Sequence, residues 1–259
     1  MKVLELFSGT HSIGKVCKEY NFNVVSLDRD LKDSCPFGSG YKSENHIQAD
    51  IMTWDYTIYP KGHFDLITAS PVCLWWSQLR FSNIGRKNHG KILTREAIEN
   101  DIIEYGIPMI DKVFEILDYY NPKFWWIENP QTGRMKDYIN DLIPYHDIDY
   151  CQYGFFYQKR TRIWTNINFN PKKCDKYCHA LIEIKVEKGD CHSIGKPIKA
   201  ETRKLHSGVM SYNKQKLIKR HLSTIGNKRN SKSNQLTRYQ IPQPLIKDLL
   251  NAIIEHVDI

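Results

Sequence analysis

The sequence predicts an α/β domain with a mostly parallel sheet and helices on both faces. Three observations carry that prediction: short apolar runs alternate with helical patterns over the first 165 residues, the runs end in glycine, acidic or Ser-Pro turns, and one amphipathic helix follows a long polar stretch. The elements read in order as KVLELF, a helix over 12–20, NVVSLD, HIQAD, FDLITAS, a long helix near 97–119, KFWWIEN, a helix near 131–143, HDIDYCQY and TRIWTN. From about residue 167 to 240 this rhythm stops, and the segment turns polar and basic. IPQPLIKDLLNAIIEHV then places Leu245, Leu249, Ile253 and Val257 at helical spacing, with Pro242 and Pro244 near its start. The expected division is an α/β domain over 1–166, a basic lobe over 167–238 and a C-terminal helix over 239–259 that packs back on the first domain.

The 259 residues suffice for one sizeable core at 41% hydrophobic content. No run approaches the ~20 apolar residues of a membrane span, and MKVLELFSG reads as a strand, so the chain is expected to be intracellular, without membrane contact, and a monomer. Seven cysteines, an odd number widely scattered, are expected to be free thiols. The net charge of +8 is unevenly placed, because residues 196–240 carry twelve Lys and Arg against Glu201 alone. Such a run favours a phosphate backbone through counterion release and reads no sequence by itself.

LELFSGTHSIGKV joins a strand to a helix through a glycine turn, and Gly9, Gly14 and Lys15 match part of a triphosphate-binding loop. Val16 stands where that loop needs Ser or Thr for magnesium. The next strand ends on Asp28, suited to ribose hydroxyls, and HIQAD ends on Asp50. Two carboxylates and a glycine turn suit a nucleoside with little phosphate, such as S-adenosylmethionine, better than a triphosphate.

Three further turns carry reactive groups. Ser70-Pro71-Val72-Cys73 follows an apolar strand, where a cysteine is either an exposed nucleophile or a buried structural thiol. KFWWIEN leaves Glu128 at the mouth of the sheet, where desolvation would favour its protonated form. Gln158, Arg160 and Arg162 alternate, so both arginines share one face of a strand, able to orient a carboxylate and a nucleobase carbonyl. Trp75 and Trp76 either stack on a base or fill the core. CDKYCHALIEIKVEKGDCH gathers Cys174, Cys178, His179, Cys191 and His192; the adjacent second pair supplies two good ligands poorly, so no metal is expected, and Cys174, Cys178 and Cys191 are the candidates if one binds.

The glycine loop, acidic strand ends, Ser-Pro-x-Cys, Glu-Asn and Gln-x-Arg-x-Arg, in this order and before a basic lobe and a final helix, resemble the cytosine C5 DNA methyltransferases, in particular short phage and viral forms. The resemblance covers residues 3–165 and, more loosely, 239–257. It implies a Rossmann-like S-adenosylmethionine-dependent methyltransferase sheet with a small target-recognition lobe, acting on double-stranded DNA. S-adenosylmethionine would be held by Phe7, Ser8, Gly9, Thr10, His11, Ser12, Asp28, Arg29, Asp50, Ile51, Ser70 and Pro71, with Asp28 on the ribose and Asp50 on the adenine amino group. Cys73 would attack C6 of a flipped cytosine, Glu128 would contact its N3 and N4 edge, and Arg162 would support the cytosine carbonyl and Glu128, with Arg160 and Gln158 shaping the pocket. Residues 77–96, including Arg80, Arg86, Lys87, Lys91 and Arg95, would form a loop that closes over DNA. The residues also leave open a weakly catalytic DNA-binding protein, an N4-cytosine methyltransferase and an RNA cytosine C5 methyltransferase.

Overall fold

The computed structural model describes residues 1–30, 45–88, 91–139, 143–186, 201–207, 218 and 240–257. Its centre is a seven-stranded sheet in the order β3-β2-β1-β4-β7-β9-β8. The strands are β1 (Lys2–Leu6), β2 (Asn23–Asp28), β3 (His46–Gln48), β4 (Leu66–Ala69), β7 (Phe124–Pro130), β8 (Tyr145–Asp149) and β9 (Arg160–Thr165). The first five are parallel, and β9 enters antiparallel between β7 and β8. The chain therefore winds outward in both directions from the β1–β4 boundary, and such a switch point leaves a crevice at the C-terminal strand ends. Two small antiparallel pairs lie apart from this sheet: β5 (Lys87–Asn88) with β6 (Lys91–Ile92), and β10 (Leu181–Val186) with β11 (Glu201–His206).

Alternation along the central strands divides the interior into two cores. Val3, Leu66, Trp126 and Ile163 face α1 (Ser12–Glu19) and the C-terminal helix, here α6 (Gln243–Val257). Leu4, Leu6, Ile67, Ile127 and Trp164 face the other way, toward Ile98 of α3 (Arg95–Asp101) and Ile110, Val113 and Leu117 of α4 (Ile107–Tyr120). Helix α6 buries Leu245, Leu249 and Ile253 against Val16 and Cys17 of α1, and Tyr20 donates to Asn251 at 2.9 Å across the same contact. Two short helices, α2 (Gln78–Phe81) and α5 (Met135–Ile139), are also described.

The single helix expected near 97–119 is broken by a π-helical turn over Ile102–Gly106. Pro108, which has no N–H to give to a regular ladder, sits in the first turn of α4 and marks the restart. Gly106 fits there because the ring of Trp76 packs so near that a Cβ would lie 3.0 Å from it. Of the helix expected near 131–143, the described residues show Met135–Ile139. Within the described residues no helix is long and apolar enough to cross a membrane.

Candidate active site

The loop from β1 to α1 turns through Phe7, Gly9 and His11, with φ of 58°, 45° and 51°. Left-handed backbone costs about 1–2 kcal/mol at each non-glycine residue, so the contacts around the loop must hold it. The N–H of Ser8 donates to the carbonyl of Leu27 at 3.1 Å, and that of Gly9 donates to Oδ2 of Asp28 at 2.8 Å. Beneath the loop, buried Glu5 accepts from the Ile13 N–H at 3.2 Å and the Ser26 hydroxyl at 2.9 Å, and lies 3.4 Å from Nδ1 of His11. Glu5 thus caps the N-terminus of α1 from the neighbouring strand, satisfying a donor that the helix leaves open.

Residues named from sequence as cofactor-binding divide into two groups. Asp28, Asp50, Ser8, Ser70 and Pro71 lie at the C-terminal strand ends, where β2, β3, β1 and β4 open into the crevice. Oδ1 of Asp50 accepts the Met52 N–H at 2.9 Å, holding the turn after β3. The others engage the protein or solvent. His11 is buried against Glu5, Ile51 is a core residue, and Ser12 Oγ accepts the Ile241 N–H at 3.2 Å. The Thr10 hydroxyl pairs with Ser12, and Arg29 projects into solvent 3.7 Å from Asp30. Among the described residues the buried hydroxyls of Ser8 and Ser70 have no hydrogen-bond partner. Two orphaned hydroxyls at adjoining strand ends fit a polar ligand in the crevice.

Cys73 follows β4 on a half-buried turn, and its carbonyl accepts the Trp76 N–H at 3.2 Å. The turn is tied to the next strand by Asn129, whose side-chain amide donates to the Pro71 carbonyl at 2.9 Å. The two tryptophans have separate fates: Trp76 is core, whereas Trp75 stacks on Tyr105 at 4.8 Å with Arg80 over its ring. Arg80 also pairs with Asp101, so this member of the expected closing loop is anchored to α3.

Glu128, on β7, is buried, and its Oε1 accepts from the Tyr150 hydroxyl at 2.9 Å and from the Lys159 ammonium at 3.2 Å. Lys159 also lies 4.6 Å from the Tyr150 ring. Burial pushes the Cys73 thiol up from its ordinary value; Lys159 pulls it back down and Glu128 pushes it further up. Cys73, Glu128 and Lys159 therefore share one electrostatic environment.

The resemblance gives Arg162 the role of supporting Glu128, and the strand register bears on where each side chain leaves the sheet. Across β7 and β9 Glu128 pairs with Ile163, and Arg162 pairs with Asn129, so one pleat separates them and their side chains leave opposite faces. The guanidinium of Arg162 forks onto Asp147 of β8 at 2.7 and 3.0 Å and lies 3.6 Å from the Tyr145 ring. Arg160 shares its face but is exposed at the start of β9, and Gln158 is half-buried. The described donors to Glu128 are Lys159 and Tyr150. Sequence reasoning passed over both: Lys159 sits between Gln158 and Arg160, where a strand pattern assigns it to the opposite face, and Tyr150 resembles any core aromatic. Glu5 and Asp147 also left no signal beyond their charge.

Among the described residues, Cys174 and Cys178 gather with Cys151 and His206. His179 packs on the Phe156 ring at 5.6 Å, and Cys191, His192 and nearly all of the basic segment 208–239 lie outside the described residues.

The doubly wound sheet, with a glycine loop after β1 and a cysteine turn after β4, defines the class as a Rossmann-like α/β fold. Methyltransferase EhMeth of Entamoeba histolytica superposes with a TM-score of 0.52 at 11% identity, covering 99% of this chain and 98% of that one. Two Dnmt2 structures, from Spodoptera frugiperda and S. pombe, give TM-scores of 0.42 and 0.38 at 19% and 15% identity, over 67% and 64% of this chain. This chain spans about half of their length, 53% and 49%. No family model matches the sequence. A probable DNA (cytosine-5)-methyltransferase of Frog virus 3 (isolate Goorha) is 40% identical over 179 residues, 67% of this chain and 75% of the relative. The chain belongs to the DNA (cytosine-5)-methyltransferase family.

Proposed function

We propose that this protein transfers a methyl group from S-adenosylmethionine to C5 of a cytosine flipped out of double-stranded DNA, with Cys73 as the nucleophile. The observation that carries this reading is the shared environment of Cys73, Glu128 and Lys159 at the C-terminal end of the sheet. Cytosine C5 is a poor nucleophile until C6 is attacked, which gives a cysteine at this turn its chemical purpose. Attack by the Cys73 thiolate forms an S–C6 bond and moves the electron pair of the 5,6 double bond onto C5. Lys159 favours that thiolate against the cost of burial. Both described donors to Glu128 use Oε1, so Oε2 serves the N3 and N4 edge of the base, where a shared proton draws charge from the ring. Once the C5 electron pair has taken the methyl group from the sulfonium, which leaves as a neutral thioether, loss of the C5 proton and elimination of the Cys73 thiolate would restore the ring.

The crevice residues fit the cofactor. Asp28 would take the ribose hydroxyls, Asp50 the adenine amino group, and the Ser8 and Ser70 hydroxyls the remaining polar edge. Bound there, S-adenosylmethionine supplies an electrophilic methyl group. Exposed Val72 before Cys73, and Leu74, Leu79, Ile84 and Ile92 on the segment after it, suit a surface that is covered when substrate is bound. The division into domain, basic lobe and final helix is part of the same reading.

The test is nucleoside mass spectrometry, with isomers separated, on DNA and RNA from methylation-free bacteria expressing the parent or Cys73→Ser. The expected result is 5-methylcytosine in DNA from the parent and none from the variant. N4-methylcytosine, or 5-methylcytosine confined to RNA, would overturn the mechanism or the substrate.

A further inference from the structure

Three thiols and an imidazole meet on the side of the sheet edge where the β10–β11 hairpin attaches. The ligand atoms of Cys151, Cys174, Cys178 and His206 all lie within 4.8 Å of one another. They come from three separate pieces of chain: the helical turn Tyr150–Tyr153, the loop before β10, and the last residue of β11. No sequence pattern joins them, because Cys151 stands alone and His206 lies in the basic stretch. All three cysteines are free thiols, one buried and two half-buried.

One edge of the cluster already has the dimension of a tetrahedral metal site, and the other ligand atoms lie within 4.8 Å of one another. With Zn–S near 2.3 Å and Zn–N near 2.0–2.1 Å, a sulfur and a nitrogen on one tetrahedral edge stand about 3.5–3.6 Å apart. Sγ of Cys174 and Nε2 of His206 are 3.5 Å apart. The hairpin also needs such a staple, for its core consists of buried Ile184 and Val186 with Ile182 and Leu205 packed against them. The backbone around the cluster is already oriented: the Cys174 N–H donates to Oδ2 of Asp149 at 2.8 Å, and the Lys172 N–H donates to the Tyr153 hydroxyl at 3.0 Å.

We propose that Cys151, Cys174, Cys178 and His206 form a structural Cys3His zinc site that fixes the β10–β11 hairpin to the catalytic sheet. Four protein ligands close the coordination sphere, so the metal is structural rather than catalytic. Its placement ties two regions together, since Cys151 follows Tyr150, whose hydroxyl holds Glu128. The metal thereby fixes the turn that positions Glu128, and the hairpin with it.

The experiment is elemental analysis of the full-length chain purified without chelators and under reducing conditions. One equivalent of zinc is expected. Replacement by Co2+ should give the visible absorption of a tetrahedral thiolate complex, and chelation should expose three further thiols to a thiol reagent. Cys174→Ser and Cys178→Ser should each lose most of the metal. His206→Cys should retain it through a fourth thiolate, and Cys73→Ser should retain the full equivalent. Should the serine variants not fold, the cobalt spectrum and thiol count of the parent chain still decide. A folded, reduced chain that takes up neither Zn2+ nor Co2+ overturns the proposal. So does metal that survives both Cys174→Ser and Cys178→Ser, or a disulfide among these three cysteines in freshly isolated, metal-free protein.

Discussion

Cys73 feels two charges of opposite sign, and that opposition yields a test that structural damage cannot imitate. Burial raises its thiol above the ordinary value, Lys159 lowers it, and Glu128 raises it. Thiolate is the species that alkylates, so inactivation by iodoacetamide should accelerate with pH, with a midpoint above that of a free thiol. Lys159→Met removes the lowering charge and should move the midpoint up, whereas Glu128→Gln removes a raising charge and should move it down. Shifts of the same sign in both variants would defeat the assignment. At the glycine loop, a Cβ on Gly14 would lie 2.8 Å from Oε2 of buried Glu5, whose carboxylate holds Ile13, Ser26 and His11. Gly14→Ala should therefore destabilise by about 1–3 kcal/mol, as overpacking does, measured as a lower denaturant midpoint at unchanged slope.

At the scale of elements, the catalytic turn depends on a strand it does not belong to. Asn129 continues β7 beyond Glu128 and its amide clamps the Pro71 carbonyl in a buried site. Asn129→Leu should cost about 1–3 kcal/mol, because the Pro71 carbonyl then loses its donor, and should lower kcat more than it raises KM for DNA, because Cys73 rides on the freed turn. The elements themselves were largely legible: strand runs such as NVVSLD and LITA and the stripe Leu245, Leu249, Ile253 are local patterns, and each is found where its periodicity put it. What the sequence hid was set by pairing across the sheet. Alternation alone makes Arg160 and Arg162 neighbours on one face, and it says nothing of whether Glu128 shares that face. The antiparallel register of β9 on β7 decides this, and it hands Arg162 to Asp147. Cys174 and Cys178 were legible as a thiol pair, but Cys151 and His206 were hidden for the same reason, being brought to that pair by tertiary contact. The π-helical turn was concealed by a continuous helical pattern whose one warning was Pro108.

Across the whole molecule, α6 seals the face of the sheet that holds α1, and α1 begins at the glycine loop. Leu249 is buried in that seam, so Leu249→Ala should cost about 2–5 kcal/mol in a calorimetric or denaturant measurement, with the cofactor crevice loosened through α1. Binding of DNA is divided differently. The described catalytic core lies within residues 1–195, where 24 Lys and Arg stand against 25 Asp and Glu, while residues 196–240 carry twelve against one. Affinity for duplex should then come chiefly from the basic segment and fall steeply with salt, whereas the chemistry at Cys73 should not. Replacing Lys214, Lys216, Lys219 and Arg220 by Gln should flatten the plot of log K against log salt by about 0.9 for each side chain that contacts a phosphate. Single-turnover methylation at saturating DNA should be unchanged. If the slope stays as it was while turnover falls, the segment acts on catalysis rather than on the phosphate backbone, and the separation of binding from chemistry is wrong.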